Sequence, residues 1–310
     1  MLCNKLHVFP VIMALYLPFT FIITYAIAVY NDHVEPVFPY ISDTGTIPPE
    51  SCIFGQLLNL YAALTAWCMY LRYKQVRLYY RGVELAGIEP GSHRSRSVRK
   101  KQLANKACLV IGIIASLGAS VVGNFQEDNV LSVHLLGAAM AFGGGGVYIW
   151  MQALLSYKMA NLPRSHRCTR HVRVVLAIIH SICFFIMMIA TKLSLDKFPY
   201  SLKRIKLWKS SDPGYTEHLF ATFTEWIMAV VLSAYFLTYF GELKVVRTKM
   251  LIMHKNATLV ANSNSVVPNR SPTLSTNAAM AYATAVYTDN SLDPVEAADD
   301  NKQVSVAIDG

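Results

Sequence analysis

Charge is scarce in this chain, and it is scarcest where apolar residues run longest. Only 15% of the 310 residues are Asp, Glu, Lys or Arg, against 54% apolar, and the mean hydropathy is +0.34. That balance excludes an ordinary soluble domain. Catalytic signatures are missing too. There is no H-E-x-x-H, no phosphate-cradling glycine loop and no nucleophile elbow, so no pattern argues for an enzyme or for a cofactor, and none is expected. Of the six cysteines, Cys68, Cys108 and Cys183 fall in apolar stretches, Cys52 at the end of one, and Cys3 and Cys168 in basic segments. No external loop holds a pair, which excludes a disulfide framework.

Six apolar stretches make up most of the rest: Phe9 to Tyr30, Cys52 to Leu71, Ala107 to Gly123, Leu135 to Leu155, Val174 to Ala190 and Leu219 to Phe240. Each is near the ~20 residues that cross a hydrocarbon core. The connectors Asn31 to Ser51 and Asn124 to His134 have no Lys or Arg, whereas 22 of the 28 basic residues fall on the opposite side. The remaining six lie between Lys192 and Lys209. By the positive-inside rule both termini are expected in the cytosol. The expected architecture is all-α: a polytopic six-helix membrane domain over residues 1–247, then a polar cytosolic tail over 248–310. That tail, rich in Asn, Ser and Thr with Pro268, Pro272 and Pro294, is expected to be disordered. Its glycosylation sequons at Asn256 and Asn269 would never meet the glycosylation machinery there. A cleaved signal peptide, with Ala26-Ile27-Ala28 as its site, is the alternative for the first stretch, but ~20 apolar residues exceed a usual signal core.

The formal charge of +9 sits in short segments beside apolar spans, which points to anionic lipid headgroups and not to nucleic acid. Arg94, Arg96, Arg99, Lys100 and Lys101 are the lipid-binding candidates; the simpler alternative is that they only fix topology. His166, Cys168 and His171 have ligand chemistry, but Arg164, Arg167, Arg170 and Arg173 surround them and would repel a metal, so none is expected.

Glu225 is the one carboxylate inside an apolar stretch. An ionisable group at such depth must pair, face the interior or take a proton. It reads either as a proton-responsive group or as a hydrogen-bonding anchor for its helix, with Gln56, Asn59, His134 and His180 as candidate partners. His33, His134 and His218 fall on the outer side, where an acidic compartment would charge them. Gly112-x-x-x-Ser116-x-x-x-Ser120 and Ala139-x-x-x-Gly143 suit close helix packing, while the run Gly143 to Gly146 also leaves room for local unwinding or a ligand contact.

In the first outer connector, Asp43-Thr44-Gly45 matches an aspartic-protease loop only superficially, since that chemistry needs two such aspartates on a β scaffold. Pro39, Gly45, Pro48 and Pro49 read as turn residues, with Pro48, Pro49 and Glu50 opening the second helix. The whole run from Pro39 to Phe54, with Ser42, Asp43, Thr44 and Glu50, resembles the first outer loop of the DRAM family, the damage-regulated autophagy modulators. Val122-Gly123-Asn124-Phe125-Gln126, Val133-His134 with Gly137-Ala138, and Glu225-Trp226 resemble further motifs of that family, so the likeness covers about Leu6 to Arg247. The polar tail and the basic segment Lys192 to Lys209 depart from it.

The resemblance implies a non-enzymatic lysosomal or endolysosomal membrane protein that promotes autophagy and influences cell death, with partners in the autophagy or sorting machinery. The wider Frag/DRAM/Sfk superfamily includes plasma-membrane proteins linked to phosphoinositide kinase regulation, which keeps surface residence open. Proton-coupled transport through Glu225 is the third alternative. For sorting, Tyr80 and Val83 fit a tyrosine-x-x-apolar signal, as do Tyr73 and Val76.

Overall fold

In a hydrocarbon solvent every backbone amide must find its partner within the segment, so each apolar stretch has the α-helix as its low-energy form. The computed structural model describes residues 6–85, 92–199 and 202–244. Cys3 and the polar tail, with its expected disorder, Asn256 and Asn269, lie outside the described residues. Six helical segments are long and apolar enough to cross a membrane. They are built from α1 (Val8–Tyr30), α2 (Glu50–Leu85), α3 (His93–Asn124), α4 (Glu127–Ala138), α5 (Gly145–Lys158), α6 (Arg167–Lys197), α7 (Tyr215–Leu237) and the short α8 (Phe240–Leu243). α4 passes into α5 through a π-helical turn, Ala139–Gly144, and together they form one span.

Several helices outrun the apolar stretches that announce them. α2 continues into the basic segment as far as Leu85, and α3 begins at His93, capped by the Ser92 hydroxyl, which accepts from Ser95 N at 3.1 Å. The basic cluster is therefore helical: Arg94, Arg96, Arg99 and Lys100 are exposed, and Lys101 lies over the Tyr80 ring at 5.7 Å. The segment expected as the second outer connector is largely helical too, because α4 starts at Glu127, eight residues before Leu135, with one non-helical residue at Val130.

α2 packs along α3 and α6 along α7, while α1 lies across both α2 and α7. α7 is the most enclosed span, 56% buried, and the outward faces of the peripheral helices carry Leu15, Phe19, Ile22, Leu154, Phe185 and Ile189 exposed. Such a surface suits lipid and not water. Small residues set the close approaches. A Cβ on Gly118 would stand 2.6 Å from Gly137 O, and one on Gly55 2.6 Å from Gly123 O. The glycine run is wound through a crowd: Gly143 faces Phe184, Gly144 faces Ala115, Gly145 faces Leu232 and Gly146 faces the His180 ring. Four consecutive helical residues sweep most of the circumference, so neighbours from α3, α6 and α7 surround the run, and only at Gly146 would a Cβ be crowded, 3.0 Å from the His180 ring.

The connectors at the Glu50 end will be called the loop end, and the opposite side the basic end. At the basic end Arg72, Arg173 and Glu242 are sealed together, each no more than 1% exposed. Glu242 is shared: Arg72 Nη1 donates to one oxygen, and Arg173 donates to both from Nη1 and Nη2 at 3.0 and 3.1 Å. Gln75, Gln152, Ser156 and Thr238 take other guanidinium protons, and the Tyr239 ring lies 5.0 Å from one guanidinium and 4.8 Å from the other. The cluster fastens α2, α5, α6 and α8 at one point.

Removing one partner of a buried ion pair leaves an uncompensated charge and typically costs ~3–5 kcal/mol. Glu242→Gln is therefore expected to lower the thermal unfolding midpoint of the purified protein sharply. Lys192→Gln, which breaks an exposed i, i+4 pair with Asp196, is expected to move it by less than ~0.5 kcal/mol equivalent. Comparable losses from the two would show that Glu242 does not hold the helices.

Candidate functional site

The run Pro39 to Glu50 does not hang in solvent; it folds down into the loop end of the bundle as a plug. Asp43–Gly45 is a single 3-10 turn, wholly buried. Gly45 has no Cβ because the Phe54 ring occupies that space. The Thr44 hydroxyl donates to Ile41 O at 2.7 Å and meets the Thr24 hydroxyl of α1 at 3.1 Å. Tyr40 N donates to Asp43 Oδ2 at 3.1 Å.

Three successive loop residues are then gripped by two helices. Trp226 Nε1 donates to Pro39 O at 3.0 Å, the Tyr40 hydroxyl meets that of Thr191 on α6 at 3.1 Å, and Ile41 N donates to Glu225 Oε2 at 2.8 Å. Ser42 Oγ donates to Glu127 Oε2 of α4 at 2.9 Å. The plug thus joins α1, α4, α6 and α7. At its far end Pro48 and Pro49 immediately precede α2, and buried Glu50 takes Asn31 Nδ2 at 3.4 Å and pairs with His33 Nδ1.

This answers the question of what Glu225 binds. Its partner is a main-chain amide of the plug, and none of the four polar side chains considered from sequence bonds it. Gln56 is exposed on α2; Asn59 bonds Ser120 at 2.6 Å and Asn124 at 2.8 Å; His180 packs on Gly146; His134 Nδ1 lies 2.7 Å from Phe125 O. Apolar helix faces leave a polar side chain free to choose the nearest donor, and a loop that dips into the bundle brings donors which helix periodicity does not reveal. The outer histidines diverge likewise. His33 is half-buried on Glu50, while His134 and His218 are buried, the latter stacked on Trp208 at 4.4 Å.

The sorting candidate Tyr80 with Val83 is corrected by the structure. Tyr80 is 2% exposed, packed on α2 among Val76, Val98 and Met159, and an adaptor cannot grip a phenol held inside a core. In the second such pattern Val76 is buried as well.

Electrostatically the plug site is acidic. Asp43, Glu127 and Glu225 gather there, and His134 Nε2 stands 3.7 Å from Glu127 Oε2. Burial, reinforced by the facing Glu127 carboxyl, raises the Asp43 pKa well above the ordinary carboxylate range, and burial raises that of Tyr40. The hydroxyls of Tyr40, Ser42 and Thr44 are all engaged in hydrogen bonds that fasten the plug to the helices. Beneath it lies an internal cavity of about 90 Å³ whose lining includes Ile41, Ser42, His134 and Glu225.

Sequence reasoning missed Glu127, Arg72, Arg173 and Glu242. The last three sit one or two residues beyond an apolar stretch, where a charge ordinarily snorkels to the headgroups.

The family described as Frag1/DRAM/Sfk1/Cwh43P N-terminal domain matches residues 5–246. DNA damage-regulated autophagy modulator protein 2 of Mus musculus is 37% identical over 234 residues, covering 74% of this chain and 81% of that protein. DNA damage-regulated autophagy modulator protein 1 of Homo sapiens is 34% identical over 230 residues, 74% and 87% of the two chains. Modulator of macroautophagy TMEM150B of Bos taurus is 43% identical over 142 residues, 45% of this chain and 52% of that one. No solved structure matches.

Two outcomes follow from the plug. Glu225→Gln retains an acceptor for Ile41 N and should leave hydrogen exchange over residues 39–46 near wild type. Glu225→Leu orphans that amide at a cost of ~1–3 kcal/mol and should speed exchange there; equal exchange in both would deny Glu225 its anchoring role. For Asp43, whose folded pKa is raised, the folded state binds the extra proton, so stability is greatest at acid pH. It falls as pH climbs from the ordinary carboxylate value of about 3.9 through the raised one. Asp43→Asn should flatten that decline, raising the unfolding midpoint at pH 7.5 relative to wild type while changing it little at pH 4. A wild-type midpoint that rises with pH would contradict it.

Proposed function

This chain belongs to the Frag1/DRAM/Sfk1 family, and on that basis we propose that it modulates autophagy from the lysosomal membrane, by binding and not by catalysis. The observation that carries the proposal is the extent of the relationship. Relatives named as autophagy modulators are 37% and 34% identical to this chain over alignments that cover 74% of it and 81% and 87% of their own lengths. The site supports a binding role, because its polar groups are spent on holding a plug across four helices. With both termini in the cytosol, as the distribution of basic residues indicates, the plug faces the lysosomal lumen. There the acidity that favours a protonated Asp43 also favours the closed plug. An influence on cell death would follow from altered autophagic flux.

A second reading is regulation of lipids or a phosphoinositide kinase at the plasma membrane. It draws on Arg94, Arg96, Arg99 and Lys100, exposed together on the helical start of α3, where each basic residue adds ~1 kcal/mol of attraction to an anionic leaflet. Proton-coupled transport has less behind it: Glu225 is bonded beneath a plug and not set along an open path.

Residence and flux decide between these. A C-terminally tagged chain is expected to co-localise with lysosomal markers, and its depletion to reduce starvation-induced autophagic flux. Stable surface residence with unchanged flux would overturn the proposal, and loss of surface lipid binding on neutralising Arg94, Arg96, Arg99, Lys100 and Lys101 would establish the second reading.

A further inference from the structure

α2 and α3 do not stop where their apolar stretches do. α2 runs on from Leu71 to Leu85 and α3 begins at His93, well before Ala107, so each extends about 21 Å beyond its apolar stretch at 1.5 Å per residue. The paired extensions form a stalk with a small core of its own, in which Val76 and Tyr80 of α2 and Val98 of α3 pack with Met159 and Leu162. Lower down, Asn105 Nδ2 donates to Tyr73 O at 3.0 Å. With Val98 and Asn105 turned inward and buried, the other face of α3 points outward. Arg96, Arg99, Lys100 and Leu103 are exposed on it at i, i+3, i+4 and i+7, and Arg94 adds a cation nearer the tip. Leu103 is 67% exposed, an apolar side chain beside the cations. Among the described residues no carboxylate pairs with Arg94, Arg96, Arg99 or Lys100.

The membrane that carries the stalk is badly placed to answer all four. Arg94 and Arg96 lie about 20 and about 17 Å past Ala107 along the helix. That is beyond a headgroup layer of ~5–8 Å followed by a Debye length of ~8 Å. The chain itself holds a better answer. Asp289, Asp293, Glu296, Asp299 and Asp300 fall within twelve residues that contain no Lys or Arg. Outside the tail, the segments at the basic end have only Glu84, Glu89 and Glu242 as carboxylates, and Glu242 is already held by its two arginines. Leu292 and Val295 stand among the tail carboxylates, as Leu103 stands among the cations.

Reach does not limit the match. Glu242 bonds Arg72 at the foot of the stalk, so the tail leaves the bundle there. The 45 residues from Lys244 to Asp289 span at most ~150 Å, against a stalk of about 21 Å. Exposed ion pairs are individually weak. A tethered segment, however, meets its target at an effective concentration on the order of mM, and several pairs then act together.

We propose that the acidic segment Asp289–Asp300 docks on the outward face of the stalk, its carboxylates on Arg94, Arg96, Arg99 and Lys100 and its apolar residues against Leu103. The contact is intramolecular and stands apart from the autophagy role. While docked, the tail withholds these cations from any other anionic partner.

The test uses the full chain in phosphatidylcholine nanodiscs, light- and heavy-isotope forms mixed, and a carbodiimide, which condenses a carboxylate with an amine that it touches. Lys100 is expected to link to Asp293, Glu296, Asp299 or Asp300 about tenfold more than does Lys158, exposed at the end of α5. Raising salt from about 0.05 to about 0.5 M should cut the link about tenfold, an arm that needs no substitution. Arg94→Glu, Arg96→Glu and Arg99→Glu together should abolish it. Adding Asp293→Lys, Glu296→Lys and Asp299→Lys to that chain should restore links, now between the introduced amines of the tail and the introduced carboxylates of the stalk. Links shared equally by Lys100 and Lys158, links that survive high salt, or no rescue by the charge exchange would overturn the contact. Pairs of mixed isotopic mass would place the tail on a second copy and overturn its intramolecular form. Labelling of residues 94–100 by a photoactivatable phosphatidylserine, with no tail link in the uncharged discs, would give the patch to the leaflet instead.

Discussion

Glu242 is the carboxylate on which the basic end depends. Two guanidiniums that are 0% exposed converge on it, and nine hydrogen bonds from Arg72 and Arg173 are distributed over Glu242, Gln75, Gln152, Ser156 and Thr238. The cluster carries a net positive charge inside the protein, and the Tyr239 ring between the two cations offers its electron-rich face to both. A buried ion pair is weak evidence for stability, since desolvation consumes most of the attraction, but it is demanding of geometry. Each arginine has its donors committed to partners on different helices, so sliding any one helix by a turn would strand a charge. Register at this end is thereby specified more tightly than by the apolar contacts around it, which tolerate repacking.

The loop end meets the same constraint by another route. There Glu225 and Glu127 are answered by an amide and a hydroxyl of a loop that descends among the helices. Glu225 and Trp226 are adjacent, and adjacent helical residues point about 100° apart. They can therefore bracket a short stretch of chain, one accepting from Ile41 N and the other donating to Pro39 O. Amides are weaker answers to a carboxylate than guanidiniums, so the loop end is the softer of the two. The pair Lys206–Asp128, together with Glu35 N donating to Lys206 O, binds the outer segments over the plug from above.

The sequence displays its six spans because lipid solvation demands long apolar runs, and it displays Glu225 because one carboxylate in such a run is conspicuous. It hides the partner of Glu225, since a main-chain amide leaves no residue-type signature. It also hides the arginine cluster: Leu71 followed by Arg72, Arg173 followed by Val174, and Glu242 just past Phe240 look like ordinary snorkelling charges at span ends. Only the continuation of helix past each apolar stretch, α2 to Leu85 and α6 from Arg167, turns those charges inward. The same continuation buries Tyr80, which in isolation reads as a surface signal. The glycine run shows the reverse case. Its unusual composition is plain in sequence, but whether it unwinds or packs is decided by neighbours from three other helices, and the π-helical turn lies between those outcomes.

The void at the centre has a definite origin. Ala115, Ser116, Ala119, Ala138, Ala141, Gly145 and Ala229 come from α3, the α4–α5 span and α7, and all line it with small side chains. On the lipid-facing side the same helices carry Leu117, Leu135, Val147 and Phe223. Volume is thus withheld on the inside and supplied on the outside, the opposite of what dense packing would select. At about 24 cal/mol per Å³, a cavity of about 90 Å³ left empty costs roughly 2 kcal/mol, a substantial fraction of ordinary folding stability. Helices that are knit by buried ions at one end and by a plug at the other can carry such a deficit without collapsing into it.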